Sequence, residues 1–261
     1  MKNIFILSLS TIISLSVIAQ NVGIGTINPL ARLHVAESSA IFTATGPVPV
    51  SPGVAPISGA GRRMMWYADK AAFRVGYVDG VQWDKDNIGA WSIATGSNTT
   101  ASGSFSTAMG VNTTASGSSS TAIGSGSKAY GIASVAMGNS TALGENSTSM
   151  GNGSTAAGNS STAMGYNTTA NGPYSTAMGN YVSTSYFSGA FAIGDNSTTT
   201  VMQSFVDNGF RARFAGGYRL FTNSAANIGS FLNAGANSWA TLSDVRLKEN
   251  FLPVIGEDFL K

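Results

Sequence analysis

Few residues of this chain have side chains suited to acid–base, nucleophilic or metal chemistry. It contains one histidine, His34, no cysteine, and 12 acidic residues scattered over 261 positions. A lone histidine in a strand is far more often packed or hydrogen-bonded than catalytic or metal-bound. Near the C-terminus, Ser243 and Lys248 lie five residues apart, and a Ser–Lys pair acts only where burial leaves the lysine neutral. The sequence predicts no cofactor site, no metal site and no multiple-turnover enzyme.

The surrounding chain is dominated by an internal repeat between Ser92 and Gly194. A glycine recurs every seven residues, nearly always two places after an alanine, and the residue between them alternates between apolar and mostly polar types. The full repeat is therefore about 14 residues. Glycine at every seventh position excludes a coiled coil, because that fold needs two large apolar positions per heptad and each glycine costs a helix about 1 kcal/mol. Short strands separated by Gly and Asn turns instead predict an all-β parallel solenoid with one coil per 14 residues.

Two details of the repeat predict local geometry. The step from Gly138 to Gly144 is six residues instead of seven, so we expect one shortened coil there. Asparagine often follows the closing glycines, where its tolerance of left-handed backbone suits a turn. These asparagines are Asn98, Asn112, Asn139, Asn146, Asn159, Asn167 and Asn196.

The apolar content of one coil predicts association. A coil carries one Met, Ile or Leu besides Ala and Thr, so we expect it to be too thin to enclose a core and to leave apolar surface in water. Several chains packed along the rod axis would bury that stripe. The stripe comprises Met109, Ile123, Met137, Met150, Met164 and Met178.

The repeat units resemble the head repeats of YadA-type trimeric autotransporter adhesins. The resemblance lies in Ser-Thr-Ala-Met-Gly at 106–110 and 175–179, Ser-Thr-Ala-Ile-Gly at 120–124 and Ser-Val-Ala-Met-Gly at 134–138. It covers roughly residues 92–200 and implies a left-handed parallel β-roll that packs as a homotrimer.

The segments on either side of the repeat are a linker and two β-rich segments that could cap the solenoid. Residues 46–61 form a Pro- and Gly-rich linker, and residues 62–91 hold an aromatic β segment in which Asp79-Gly80 predicts a hairpin turn. This segment either covers the first coil as a cap or presents Trp66 and Trp83 as a carbohydrate-binding surface. Residues 201–242 predict a β-rich neck or C-terminal cap.

The N-terminal residues predict export. Residues 1–19 have a basic start, an apolar run from Ile4 to Ile18 and small residues near a cleavage site, as in a signal peptide. Residues 20–45 follow, with Val22 to Ile24 and Leu33 to Val35 as short strands, and resemble the opening of bacterial tail-fibre-like surface proteins. No later segment is long and apolar enough for a membrane span in the mature chain.

The C-terminal stretch Ser-Asp-Val-Arg-Leu-Lys-Glu-Asn at 243–250 resembles the opening of the endosialidase-type intramolecular chaperones. That family helps three chains fold and then cleaves itself just before the motif's serine. The resemblance implies Ser243 as nucleophile and Lys248 as its basic partner. Because only residues 243–261 follow, we expect a truncated start of the domain that is inactive in this chain.

Composition narrows the functional class. Charged residues make up 10% of the chain and the formal net charge is +2, without the clustered Lys and Arg of a nucleic-acid binder. We expect a secreted, cell-surface or outer-membrane protein with a trimeric, adhesin-like head and a structural or adhesive role. The open alternatives are a self-processing tail-fibre-like protein and a carbohydrate-binding fibre module, and the ligand would be a host or environmental protein or glycan.

The Ser243 and Lys248 pair yields a prediction about processing. A lysine in hydrated chain keeps a pKa of about 10.4, so it stays protonated at neutral pH and cannot accept the serine proton. We expect no self-cleavage by this chain, whereas a form extended by a folded chaperone domain should cleave between Leu242 and Ser243 unless Ser243→Ala is introduced. Mass spectrometry decides, and a spontaneous fragment ending at Leu242 would overturn the prediction.

Overall fold

The computed structural model describes residues 22–242, except Gly25 and Ser38. The described chain divides into two units, one ending at Thr45 and the other beginning at Gly46. The first unit contains β1 (Val22–Ile24) and β2 (Leu33–Val35), which pair in parallel with Val22 opposite Leu33. Both predicted strands are thus confirmed. His34 is hydrogen-bonded, as expected, because its Nδ1 accepts the N–H of Leu30 at 3.2 Å.

The second unit begins with a strand-free segment, residues 46–60, followed by an antiparallel hairpin. The hairpin consists of β3 (Gly61–Tyr67) and β4 (Ala72–Val78), joined through a short 3₁₀ turn at Ala68–Lys70. The predicted hairpin at Asp79-Gly80 is wrong. The chain there turns instead into a second 3₁₀ turn, Lys85–Asn87, because Trp83 is drawn into the interior and no strand forms after Gly80.

Most of the second unit is a parallel β-solenoid, so the predicted fold is confirmed. Each coil contributes one strand to each of two stacks, and strands within a stack pair in parallel. The first stack contains β5 (Ile93–Ser97), β7 (Thr107–Val111), β9 (Thr121–Ser125), β11 (Val135–Met137), β13 (Thr148–Met150), the first halves of β15 (Thr162–Ala170) and β16 (Thr176–Ser183), β17 (Phe191–Gly194) and β19 (Phe210–Arg213). The second stack contains β6 (Thr100–Ala101), β8 (Thr114–Ala115), β10 (Lys128–Ala129), β12 (Thr141–Ala142), β14 (Thr155–Ala156), the second halves of β15 and β16, and β18 (Met202–Gln203). Strand β4 extends the first stack by pairing in parallel with β5.

The interior of each coil is filled by small side chains. In the coil that contains β7 and β8, Ser106, Ala108, Thr113 and Ala115 point inward and are at most 1% exposed. Equivalent Ala, Ser and Thr positions are buried along the whole stack. The expectation that a coil is too thin to enclose a core is therefore wrong. The two strands of a coil lie close enough for methyl and hydroxyl groups to fill the space between them, and the larger Met and Ile side chains are left outside.

Glycines are required where one coil crosses the next. A Cβ added to Gly110, whose φ is +117°, would lie 2.0 Å from the carbonyl oxygen of Gly124. A Cβ added to Gly117, at the other end of the coil, would lie 2.0 Å from the carbonyl oxygen of Gly131. The seven-residue glycine period in the sequence thus records two rows of close backbone approach.

Residues at the turns of the coils adopt the left-handed backbone conformation. The asparagine spacing predicted this correctly at most positions. Asn98, Asn112, Asn139, Asn146 and Asn167 adopt φ between 49° and 80°. Asn159 and Asn196 do not have positive φ, and Ser160 takes the left-handed position in place of Asn159. Turn geometry therefore accounts for most of these asparagines without glycosylation.

One coil is shortened, and the prediction from the Gly138 to Gly144 step is confirmed. Paired residues are 14 positions apart where Thr107 pairs with Thr121, but 13 apart where Val135 pairs with Thr148. Two buried hydroxyls, those of Ser127 and Ser140, hydrogen-bond to the backbone at the shortened turn. Ser127 Oγ donates to the carbonyl of Ile123 at 2.8 Å and accepts the N–H of Asn139 at 3.2 Å.

Ser140 provides the second bridge of the shortened coil. Its Oγ accepts the N–H of Met137 at 3.0 Å and lies within hydrogen-bonding distance of the carbonyls of Met137 and Ser149, at 3.1 and 2.8 Å. The hydroxyl thus connects its own turn to Ser149 in the strand of the next coil.

Arginines occupy both ends of the inward alanine row of the first stack. Arg74 pairs with Ala94 at one end and Arg211 pairs with Ala192 at the other. Arg74 is fully buried, and its guanidinium donates to the carbonyls of Phe73, Ser92 and Ala101 and to Ser92 Oγ at 2.7–3.0 Å. Burial lowers the pKa of Arg74 to about 10. Arg211 lies with its guanidinium carbon 4.8 Å from the ring centre of Phe205.

The last coils are longer, and parallel pairing continues past residue 200 to β19. Phe191 pairs with Phe210, 19 positions later, so extra residues form a loop around Asp195. Arg213 closes this loop by donating to the carbonyls of Thr200, Asn180 and Asp195 at 2.7–3.1 Å. An antiparallel sheet then follows, formed by β20 (Gly217–Phe221), β21 (Gly229–Asn233) and β22 (Ala240–Leu242).

The shortened coil gives a stability prediction. Ser140→Ala should lower the free energy of unfolding by about 1 kcal/mol, because the Met137 N–H and the Ser149 carbonyl would each lose a hydrogen bond to the hydroxyl. Ser134→Ala is the matched control, since Ser134 is equally buried but its Oγ has no hydrogen-bond partner. Urea unfolding measures both variants, and equal effects would contradict the bridging role.

The loop around Asp195 gives a pH prediction. Hydrogen bonds from Ser197 Oγ and the Ala215 N–H, with smaller help from Arg213, lower the pKa of Asp195 to about 2. The resulting stabilisation is present above the ordinary pKa, about 3.9, and is lost as pH falls through the folded-state value. Asp195→Asn should therefore be less stable than wild type at neutral pH, and the gap should close between about pH 4 and pH 2. Thermal unfolding across this range tests the expectation, and a gap independent of pH would contradict it.

Candidate association face

The outward side of the first stack carries two continuous rows of side chains. In the first row, here called the Met ladder, each residue pairs with its counterpart in the next coil. The Met ladder is Thr95, Met109, Ile123, Met137, Met150, Met164, Met178, Ile193 and Ala212. The second row, two residues earlier in each strand, is mostly threonine. Because parallel pairing without a register shift stacks identical positions, the sequence repeat becomes a straight apolar stripe.

The Met ladder is only partly covered by its own chain. Met109 is 41% exposed, and the following members through Ile193 are half-buried. Since Ala, Ser and Thr already fill the interior, these side chains do not pack into the core of the solenoid. A contiguous apolar stripe of this length on a solenoid surface is typical of an association surface.

The first-stack face is also free of charge over most of its length. Between Trp91 and Thr200 the formal charges are Lys128, Glu145 and Asp195, and none of them is in the Met ladder or in the threonine row beside it. The core of a protein interface is depleted of charged residues, because removing a charge from water is costly. This face can therefore be buried without leaving a charged side chain unpaired.

The outward face of the second stack differs in character. Its equivalent row mixes polar, aromatic and aliphatic residues, and each backbone N–H in it donates to the next coil, that of Asn171 to Thr184 Oγ1 and the others to backbone carbonyls. Lys128 lies on the same face. The row is Ser102, Ser116, Tyr130, Leu143, Ala157 and Asn171. One side of the solenoid is thus suited to burial and the other to water.

An apolar cavity continues the first-stack face at its C-terminal end. It has a volume of about 670 Å³ and is lined by Phe191, Ile193, Phe210, Phe214 and Trp239 among others. Phe191 and Phe210 stack with ring centres 5.7 Å apart. The cavity extends the apolar stripe into the antiparallel sheet.

The structure describes only some of the site residues that the sequence predicted. Ser243 and Lys248 lie beyond the described residues, as do residues 1–19, so the processing motif and the signal peptide stay predictions. Trp83, which one of the two interpretations of residues 62–91 placed on a sugar-binding surface, is fully buried, and its Nε1 donates to the carbonyl of Thr99 at 2.8 Å. The buried indole is what the alternative interpretation as a cap requires, whereas Trp66 remains 40% exposed.

Among residues 22–242, no group of three or more His, Asp or Glu side chains is placed to hold a metal ion. Within the same residues, no helix has the length and apolar character to cross a bilayer.

Part of the chain matches a known family of repeats. Residues 88–113, 115–141, 142–168 and 156–181 match the YadA head domain repeat. The matches lie between residues 88 and 181, less than half of the chain, and they coincide with the regular part of the solenoid. No curated protein matches the sequence. YadA head repeats belong to trimeric, adhesin-like surface proteins rather than to enzymes, and the intramolecular chaperone family is not among the matches.

Proposed function

We propose that this chain is an exported bacterial surface protein whose solenoid forms the head of a homotrimer with a structural or adhesive role. One observation carries the proposal. The Met ladder is an uncharged apolar stripe on the outside of a solenoid whose interior is already full, so only another molecule can bury it. The YadA head repeats over the same residues support a trimer as the form of that burial.

The geometry of the ladder favours association of identical chains side by side. Its members are spaced by one coil each, so a second copy placed parallel to the first presents the same stripe at the same spacing. Rotational symmetry around a common axis then lets every chain bury its own stripe. The apolar cavity between Phe191 and Trp239 would extend the contact at the C-terminal end.

Export and surface exposure are supported by sequence and by the repeat family. Residues 1–19 carry the pattern of a signal peptide, and the head repeats occur in cell-surface, outer-membrane proteins. The low charge and the absence of cysteine fit an exported chain held together by strand pairing rather than disulfides. Self-processing at Ser243 stays a secondary proposal that rests on the sequence motif.

The assembly is tested by the solution mass of the purified protein. Multi-angle light scattering should give three chain masses for wild type, and Ile123→Asp should shift the protein toward monomer, because association would bury an unpaired charge. Leu143→Asp is the matched control. Leu143 is 46% exposed on the second-stack face, so this variant should remain trimeric.

Two outcomes would overturn the proposal. A folded wild-type monomer under dilute conditions would show that the Met ladder needs no partner. Equal loss of assembly in both variants would show that the first-stack face is not the contact surface.

A further inference from the structure

A cleft of about 580 Å³ lies beside the first coil of the solenoid, apart from the Met ladder. One wall is the Pro-rich segment with Pro49 and Pro52, and the other is built from the second 3₁₀ turn and the first coil. The second wall presents Lys85, Asp86, Trp91 and Ser104. The volume falls within the range of about 300–1,000 Å³ that is usual for small-molecule sites.

The walls of the cleft are held in place by hydrogen bonds. The Gly53 N–H donates to Asp69 Oδ2 at 2.8 Å, and Tyr67 Oη donates to the Gly53 carbonyl at 2.5 Å. Across the cleft, Lys70 Nζ donates to the carbonyls of Lys85 and Ile88 at 2.6 and 2.5 Å. Burial lowers the pKa of Lys70. The cleft is therefore largely formed before any ligand arrives.

Trp91 gives the cleft a flat aromatic surface. Its backbone adopts φ 56°, and its ring stacks on Phe105 with centres 4.6 Å apart and planes 5° apart. Phe105 covers one face of the indole, and Trp91 lines the cleft and is 48% exposed, so indole surface remains available to a ligand. The stacked pair fixes the orientation of the ring.

Polar side chains that are free to hydrogen-bond line the same cleft as Trp91. Lys85, Asp86, Ser102 and Ser104 line the cleft. None of their side chains makes a hydrogen bond to another residue of the described chain. They provide an ammonium donor, a carboxylate acceptor and two hydroxyls that can do either.

We propose that this cleft binds a pyranose unit of a surface glycan, with the sugar ring packed on Trp91. A pyranose has a C–H face that suits an aromatic ring and a rim of hydroxyls that both donate and accept hydrogen bonds. The cleft offers that combination of one flat apolar surface and mixed polar groups. The idea that this glycan is the ligand of the adhesive head rests on the proposed function. Binding of the sugar itself depends only on the cleft.

The experiment titrates purified full-length protein with methyl glycosides of glucose, galactose, N-acetylglucosamine and N-acetylneuraminic acid. Saturation-transfer NMR identifies any glycoside that binds, and isothermal titration calorimetry, which does not depend on Trp91 as a reporter, then gives its Kd. At least one should bind, and Trp91→Ala should raise its Kd by about tenfold or more. The fold should survive this change, because Ala133 adopts φ 53° at the equivalent corner of a later coil.

Tyr174→Ala is the matched control. Tyr174 has φ 57° at the same corner position and is 72% exposed, but it lies outside the cleft. This variant should bind as wild type does. Asp86→Asn, which removes the carboxylate without touching the solenoid interior, should weaken binding.

Failure of all four glycosides to bind at millimolar concentration would overturn the inference, as would unchanged affinity in Trp91→Ala. Neither result would affect the mass measured by light scattering, so loss of the glycan site and loss of the trimer are separate outcomes.

Discussion

The close approach of backbone to backbone between successive coils is the constraint on which the structure depends. At Gly110 and Gly117 a carbonyl oxygen of the next coil lies so close that a Cβ would be only 2.0 Å from it. This contact allows strands of adjacent coils to pair in parallel without a register shift, and it explains why the residue types repeat so strictly. Once the coils are stacked in register, each sequence position becomes a row in space. The buried alanines, the Met ladder and the left-handed corners all follow from that.

Side-chain size then decides which rows lie inside. Two strands of one coil leave room for Ala, Ser and Thr, and these residues are almost completely buried. Serine fits this role because its hydroxyl can donate a hydrogen bond to a backbone carbonyl of the same turn. Ser106 Oγ, for example, donates to the Gly103 carbonyl at 2.6 Å. Larger apolar residues are forced outward. The result is a monomer whose most apolar stripe is on its surface, which is why the fold and the proposed assembly are aspects of the same packing problem.

Periodic features of the fold could be predicted from the sequence, whereas contacts between distant segments could not. The coil length, the shortened coil and most asparagine turns follow from glycine spacing, because each has a local backbone cause. The filled interior was missed because the sequence does not show how closely the two strands of a coil approach. The sequence could not decide between a buried and an exposed Trp83, because an aromatic residue outside a repeat has the same sequence signature in either place. The cleft beside Trp91 combines residues 48–52, 70, 85–91 and 102–104, and no local pattern joins these segments.

The two arginines at the ends of the alanine row have a consequence for folding. Coils that are nearly identical can in principle pair one step out of phase, and such slippage is a general hazard of repetitive chains. Arg74 and Arg211 stand in a row where every other position between them is Ala or Ser. A chain that slipped by one coil would have to place a guanidinium in a slot shaped for a methyl group. A shift past either arginine is therefore sterically disfavoured, which favours one register over its neighbours in an otherwise uniform stack.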